Sequence, residues 1–155
     1  MNNELIKDVL KSSKTIVMIG VSSIKKEESS KKIKRRPSTF VMKYLQEFGY
    51  RVIPVNPNAE GAKIFGETVF AQVEDVKIPI DIVNVFRPSI EVPIIAKQAI
   101  KVGARTLWLQ YGIESFEAEK ILKSTNITYI ANKCIKQEYQ KLFLKVNPTF
   151  PVLQN

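Results

Sequence analysis

A chain of 155 residues is one domain's length by the usual prior of about 100–200 residues per domain. With 45% hydrophobic and 25% charged residues it reads as an ordinary globular chain, not a disordered, collagenous or disulfide-stapled one. The formal charge of +9 comes without a single histidine, which removes Ser–His–Asp and Cys–His nucleophile pairs and imidazole metal sites.

The apolar runs fall far short of the ~20 residues of a membrane span. The start, Met1-Asn2-Asn3-Glu4-Leu5, lacks the basic and apolar pattern of a secretory signal. One cysteine, Cys134, cannot close an internal disulfide, so a reducing, cytoplasmic setting is expected. The whole of 1–155 is expected to be a single domain, with its core over about 12–142.

In chain order, Leu5, Ile6, Val9 and Leu10 recur at helical spacing and predict a helix over Glu4 to Leu10. Thr15 to Ile19 is a β-branched apolar run closed by Gly20, the pattern of a strand buried on both faces. A basic loop follows over 24–36, where residues 25–36 set seven lysines and arginines against Glu27 and Glu28. Pro37 at a first helical position starts a helix whose stripe is Phe40, Val41, Tyr44, Leu45 and Phe48, with Gly49 as its cap. Val52 to Val55 is a second strand, and Pro54 places it at a sheet edge or a strand end. Asn56-Pro57-Asn58 is a turn, a loop runs to Gly66, and a short helical turn is expected within Val69 to Val76. Asp81 to Phe86 is the third strand, Pro88 to Val102 a helix, Thr106 to Leu109 the fourth strand, Glu114 to Lys123 a helix, Ile127 to Ala131 the fifth strand and Lys136 to Leu144 the last helix. Residues 146–155 form a tail.

Strands alternating with helices predict a doubly wound α/β fold: a five-stranded parallel sheet with helices on both faces. Ligands of such sheets bind beyond the carboxyl ends of the strands. There the chain carries Gly20 to Ser23, Asn56 to Asn58, Phe86 to Pro88, Gln110 to Gly112 and Asn132 to Cys134. Gly20-x-Ser22 suits either a backbone approached by phosphate or a plain tight turn, and the further glycines of a dinucleotide fingerprint are missing. Arg36-Pro37-Ser38 opens a helix whose free N–H groups suit a pyrophosphate. Phe86 reads as core, whereas Arg87 at a strand exit suits phosphate through its paired donors or an ordinary surface ion pair. Cys134 has no histidine to activate it and reads as a small, partly buried residue. Asp81 and Glu114 stand too far apart to read as a carboxylate pair. No catalytic or metal-ligating residue is assigned.

Taken together, Ile19-Gly20-Val21-Ser22, Arg36-Pro37-Ser38, Tyr50 to Pro57, Ile64-Phe65-Gly66, Val85-Phe86-Arg87, Trp108 to Gly112 and Cys134-Ile135-Lys136 resemble the small single-domain CoA-binding proteins. Through them the chain resembles the CoA-binding domain of the succinyl-CoA synthetase α subunit. The resemblance implies a Rossmann-like sheet of order 3-2-1-4-5. It implies coenzyme A or an acyl-CoA as ligand, with Gly20, Val21, Ser22 and Ser23 near the pyrophosphate and pantetheine arm. Arg36, Pro37 and Ser38 would meet the phosphates, and Val55, Asn56 and Pro57 would border the adenosine end. Val85, Phe86 and Arg87 would line the middle of the groove. Gln110 and Gly112 would flank the pantetheine side, with Cys134 structural or adjacent to the ligand. The stretch from Ser23 to Pro37 is longer and more basic than in that family, and Asn132-Lys133 replaces its usual Asp/Asn-Arg pair.

The expected function is therefore binding of CoA or acyl-CoA without catalysis. The anionic load of CoA also accounts for a basic loop beside the site. Nucleic acid is the competing partner for that loop, disfavoured because residues 25–36 hold no aromatic side chain for base stacking. An acyl-CoA enzyme using Cys134 lacks an activating base, and a nicotinamide oxidoreductase lacks its glycines. No membrane association is expected, and the sequence names no protein partner.

Overall fold

The computed structural model of the protein describes residues 2–22 and 37–145. The basic loop, with Ser23 and Arg36, and the tail over 146–155 lie outside the described residues.

Helix α1 (Asn3–Ser12) starts on Asn2, whose side chain accepts the Glu4 N–H. Strand β1 (Thr15–Ile19) leads to α2 (Pro37–Glu47), β2 (Arg51–Val55), a short turn of 3-10 helix (Pro57–Ala59) and the hairpin strands β3 (Lys63–Ile64) and β4 (Glu67–Thr68). A second 3-10 turn (Val73–Asp75) precedes β5 (Ile82–Val85), a third (Ser89–Glu91) precedes α3 (Val92–Lys101), and β6 (Thr106–Leu109), α4 (Phe116–Leu122), β7 (Thr128–Ile130) and α5 (Ile135–Tyr139) complete the chain. A wider π turn (Gln140–Leu144) continues α5. The predicted strands and helices are all present. The β3–β4 hairpin was not expected, because two-residue strands are too short to display an alternating pattern.

The main sheet is parallel with order β2-β1-β5-β6-β7. The doubly wound, five-stranded parallel architecture is as expected. Counted over these five strands, however, the order is 2-1-3-4-5, not 3-2-1-4-5. The place outside β2 is held by a single parallel bridge between Val55 and Phe70, with Phe70 N–H donating to the Pro54 carbonyl and Asn56 N–H to the Phe70 carbonyl. Counted as a strand, that bridge restores a 3-2-1 run on this side, and β5 falls beyond β1. Apart from this bridge β2 is the sheet edge, which accommodates Pro54 and its missing donor.

Alternate residues of each strand enter separate cores. Val17, Ile19, Val83, Val85, Leu107 and Leu109 pack under α3 and α4 with Val92, Ile95, Ala96, Ala118 and Leu122. Ile16, Met18, Ile82, Trp108 and Ile130 pack under α1, α2 and α5 with Ile6, Leu10, Met42, Leu45 and Ile135. The β1–β2 crossover thus covers one face and the β5–β6 crossover the other. The chain reverses direction across the sheet between β1 and β5, and a crevice opens beyond their carboxyl ends.

Candidate functional site

The crevice at this reversal holds a cavity of about 330 Å3. Its floor is the end of β1 and β2, contributed by Ile19, Gly20, Val55, Asn56, Pro57 and Asn58. One wall is Ala71, Gln72 and Val73, and the other is the start of the β5–β6 crossover, with Arg87, Glu91, Ile94, Ile95 and Gln98. A larger cavity of about 440 Å3 lies at the opposite, amino ends of the strands, among Asp8, Ser12, Arg105, Thr106 and Asn126. It is remote from the reversal, so the first cavity is the candidate site.

Gly20 is the pivot. Its φ of +96° belongs to the left-handed region. A Cβ there would lie 2.8 Å from the Phe86 carbonyl oxygen and 2.9 Å from Arg87 Cδ. Its N–H donates to the Val55 carbonyl, and Phe86 N–H donates to the Ile19 carbonyl, so the exits of β1, β2 and β5 are tied together around a residue without a side chain. Beyond it, Ser22 N–H approaches Ser38 Oγ at 3.4 Å and Asn56 Nδ2 donates to the Val21 carbonyl at 3.0 Å. These contacts bring the loop after β1 against the first turn of α2 and the turn after β2.

Arg87 lies over Gly20 and reaches Glu91 one helical turn on. Its Nη2 donates to Glu91 Oε2 at 2.6 Å and its Nε to Oε1 at 3.2 Å. That hydrogen-bonded carboxylate is the leading reason the guanidinium pKa is raised. Both side chains remain about half exposed, so the mouth of the cavity carries an Arg87–Glu91 ion pair that leaves part of the guanidinium open to solvent. Around it the lining is mostly aliphatic with side-chain amides of Asn56, Asn58, Gln72 and Gln98, and Gln98 Nε2 donates to Glu74 Oε1.

Of the expected site residues, Gly20, Val55, Asn56, Pro57 and Arg87 meet in this cavity. Ser22, Pro37 and Ser38 stand just beyond the Gly20 pivot. Val21 and Val85 are wholly buried in the two cores, so their side chains pack the sheet instead of lining a groove. Phe86 and Cys134 are partly buried against the α1–α2–α5 core. Gln110, Gly112 and Cys134 gather at the exits of β6 and β7, away from the cavity: Gly112 N–H donates to Asn132 Oδ1 at 2.6 Å, and the Lys133 carbonyl accepts from Trp108 Nε1 at 2.8 Å. Gln72, Glu91, Ile94 and Gln98 were not foreseen as lining residues. The spacing of Glu91, Ile94 or Ile95, and Gln98 was the available signal, since residues three and four apart share a helix face.

Asp81 lies at the other end of the sheet, where its Oδ2 accepts the N–H groups of Lys14 and Thr15 at 2.8 and 3.0 Å. Among the described residues no three acidic or thiol groups converge as a metal site, and no helix is long and apolar enough to cross a membrane.

Known proteins share this fold. A protein of Thermus thermophilus with a solved structure is 36% identical, superimposes with a TM-score of 0.81 and matches 92% of this chain and all of its own. A hypothetical protein of Pyrococcus horikoshii is 33% identical with a TM-score of 0.79, over 92% of each chain. The Bacillus subtilis protein YneT, itself uncharacterized, is 36% identical over 131 residues, 84% of this chain and 89% of YneT. The model of the CoA binding domain family matches residues 14–140, from the first strand to the last helix. With the family pattern running through every element that builds the crevice, the chain belongs to the CoA-binding domain family.

Proposed function

We propose that the protein binds coenzyme A or an acyl-CoA across the carboxyl ends of its parallel strands and performs no reaction of its own. The observation that carries this reading is the Gly20 pivot. It is a left-handed glycine, where an added Cβ would strike Phe86 and Arg87, placed between an aliphatic, amide-lined cavity on one side and the start of α2 on the other. The cavity is at the small end of the usual 300–1,000 Å3 for ligand sites, which suits the adenosine end of CoA. The pyrophosphate then crosses Gly20 beside Arg87 and the N-terminus of α2, where free N–H groups favour an anion. The pantetheine arm continues toward Gln110, Gly112 and Cys134. The absence of histidine, and the engagement of Glu91 by Arg87, support binding without catalysis. A cytoplasmic location follows from the same reading, since CoA and a free thiol belong to a reducing compartment.

The test is thermal unfolding with CoA, acetyl-CoA and NAD, alongside native mass spectrometry of freshly purified protein. CoA at ~100-fold over its Kd should add about 2.7 kcal/mol, or roughly 5–11 °C for a domain of this size. No shift with millimolar CoA or acetyl-CoA would overturn the reading, and an equal shift with NAD would overturn its specificity.

A further inference from the structure

Among the described residues five buried side-chain polar atoms have no hydrogen-bond partner. Two belong to helices, the Tyr44 hydroxyl on α2 and Glu138 Oε1 on α5, and Glu138 Oε1 has Lys141 Nζ 3.7 Å away. The other three belong to the sheet and its exit: both amide atoms of Asn84 and Oε1 of Gln110. Asn84 is wholly buried, on the central strand β5, in register with Met18 of β1 and Trp108 of β6. Neither neighbour relieves it, because a thioether is at best a weak acceptor and Trp108 Nε1 already donates to the Lys133 carbonyl. Gln110 lies two residues past Trp108, so strand alternation sets it on the same face as Asn84. Phe86 and Cys134 are partly buried against the core on this face. Buried polar groups are nearly always paired, and an orphaned pair of amides, one on β5 and one just past the end of β6, calls for a partner.

The count of donors and acceptors selects the chemistry of that partner. Asn84 Oδ1 and Gln110 Oε1 need donors, and Asn84 Nδ2 needs an acceptor. A phosphate or carboxylate accepts only and satisfies one atom of the three. A secondary amide offers an N–H and a carbonyl together. We infer that Asn84, assisted by Gln110, is a specificity residue that pairs with the amide groups of a ligand's arm, so that the protein distinguishes CoA from a bare nucleotide bearing the same phosphates. This rests on the CoA reading above and deepens it, since the arm of CoA carries two secondary amides. The arm would enter past Phe86 and Cys134, on the opposite side of Gly20 from the nucleotide cavity.

Titration calorimetry on the full chain tests this with two probes, CoA and adenosine 3′-phosphate 5′-diphosphate, which keeps all three phosphates and lacks the arm. The wild type should bind CoA more tightly than the armless nucleotide. Asn84→Leu should lose about tenfold in CoA affinity while holding the armless nucleotide within about twofold, and the ligand-free variant should melt no lower than wild type, because an apolar side chain of similar size replaces an unpaired amide. Gln110→Leu, at the less buried position, should show a smaller loss of the same kind and decides the matter if Asn84→Leu does not fold. An unchanged ratio of the two affinities in the folded variants would overturn the inference and leave these amides to a structural partner such as a buried water. A wild type that binds neither probe would overturn the CoA reading itself, and this inference with it.

Discussion

Gly20 shows how one missing side chain organises the site. Gly20→Ala would combine a left-handed backbone with a contact 2.8 Å from a carbonyl oxygen that the sheet holds in place. The substitution should cost about 2–3 kcal/mol in urea unfolding and abolish CoA binding. Gly61 is the control: its φ is also positive, at +83°, but a Cβ there meets nothing within 4 Å, so Gly61→Ala should cost only ~1–2 kcal/mol of backbone strain and leave binding intact. Arg87 separates the two properties in the other direction. Its exposed pair with Glu91 contributes at most about 1 kcal/mol to stability, whereas a charge-assisted bond to phosphate is worth about 1.5–3 kcal/mol. Arg87→Ala should therefore weaken CoA binding in calorimetry while the melting temperature of the free protein barely moves. Ser38→Ala should weaken it less, because Ser38 Oγ receives the Ser22 N–H and serves mainly to seat that loop.

At the scale of elements, the junction of α1, β2 and α5 has a measurable pH signature. Tyr50, just before β2, donates its hydroxyl to the Leu10 carbonyl of α1 at 2.6 Å and meets the Tyr139 ring of α5 edge-on, with centroids 6.0 Å apart. Burial first, and then the neighbouring Tyr139, push its phenol up to about 12. The fold thus favours the neutral form. Its contribution to stability is complete below the unfolded value near 10 and is lost as pH climbs from there through about 12. Urea midpoints measured between pH 8 and 11.5 should fall, and Tyr50→Phe should flatten that fall while lowering stability at neutral pH by about 0.5–1.5 kcal/mol for the lost hydrogen bond. A Tyr50→Phe curve as steep as wild type would assign the alkaline loss to other groups. Helix α3 illustrates the complementary point. Its aliphatic face seals the core through Ile95, Ala96 and Ala99, while Ile94 and Gln98, together with Glu91 in the turn just before it, face the cavity. One crossover thereby builds both core and site.

For the whole molecule, the concentration of charge in residues 25–36 is the feature with a kinetic consequence. The segment leads into Pro37 and Ser38 at the start of α2, the end that faces the proposed phosphates. Replacing Lys31, Lys32, Lys34, Arg35 and Arg36 by serine should slow CoA association in stopped-flow measurements, most at low salt, because exposed charges are screened over ~8 Å at physiological ionic strength. CoA kinetics indifferent to the replacement, with wild-type affinity for a random oligonucleotide falling steeply between ~50 and ~200 mM salt, would instead assign the segment to nucleic acid.

Much of this was legible in the chain. Runs such as Thr15–Ile19 and Ile82–Val85 declare buried strands through neighbours alone, and Gly20, Asn56 and Arg87 declare strand exits by their position after such runs. Pro54 announced a sheet edge or a strand end, and it lies on the outermost strand β2, beside the single bridge to Phe70. These signals are local: a side chain's preference and its alternation with residues two to four positions away. Other features were decided only by tertiary structure. The chain alone did not place β5 beyond β1 or bury Val21 in a core. Nor did it single out Asn84, which sits in an apolar run and reads as one more strand residue until Met18 and Trp108 are brought beside it. The reason is physical. Strand order and hydrogen-bond satisfaction depend on groups that are distant in sequence and meet only when the sheet assembles, so no local pattern of side chains encodes them.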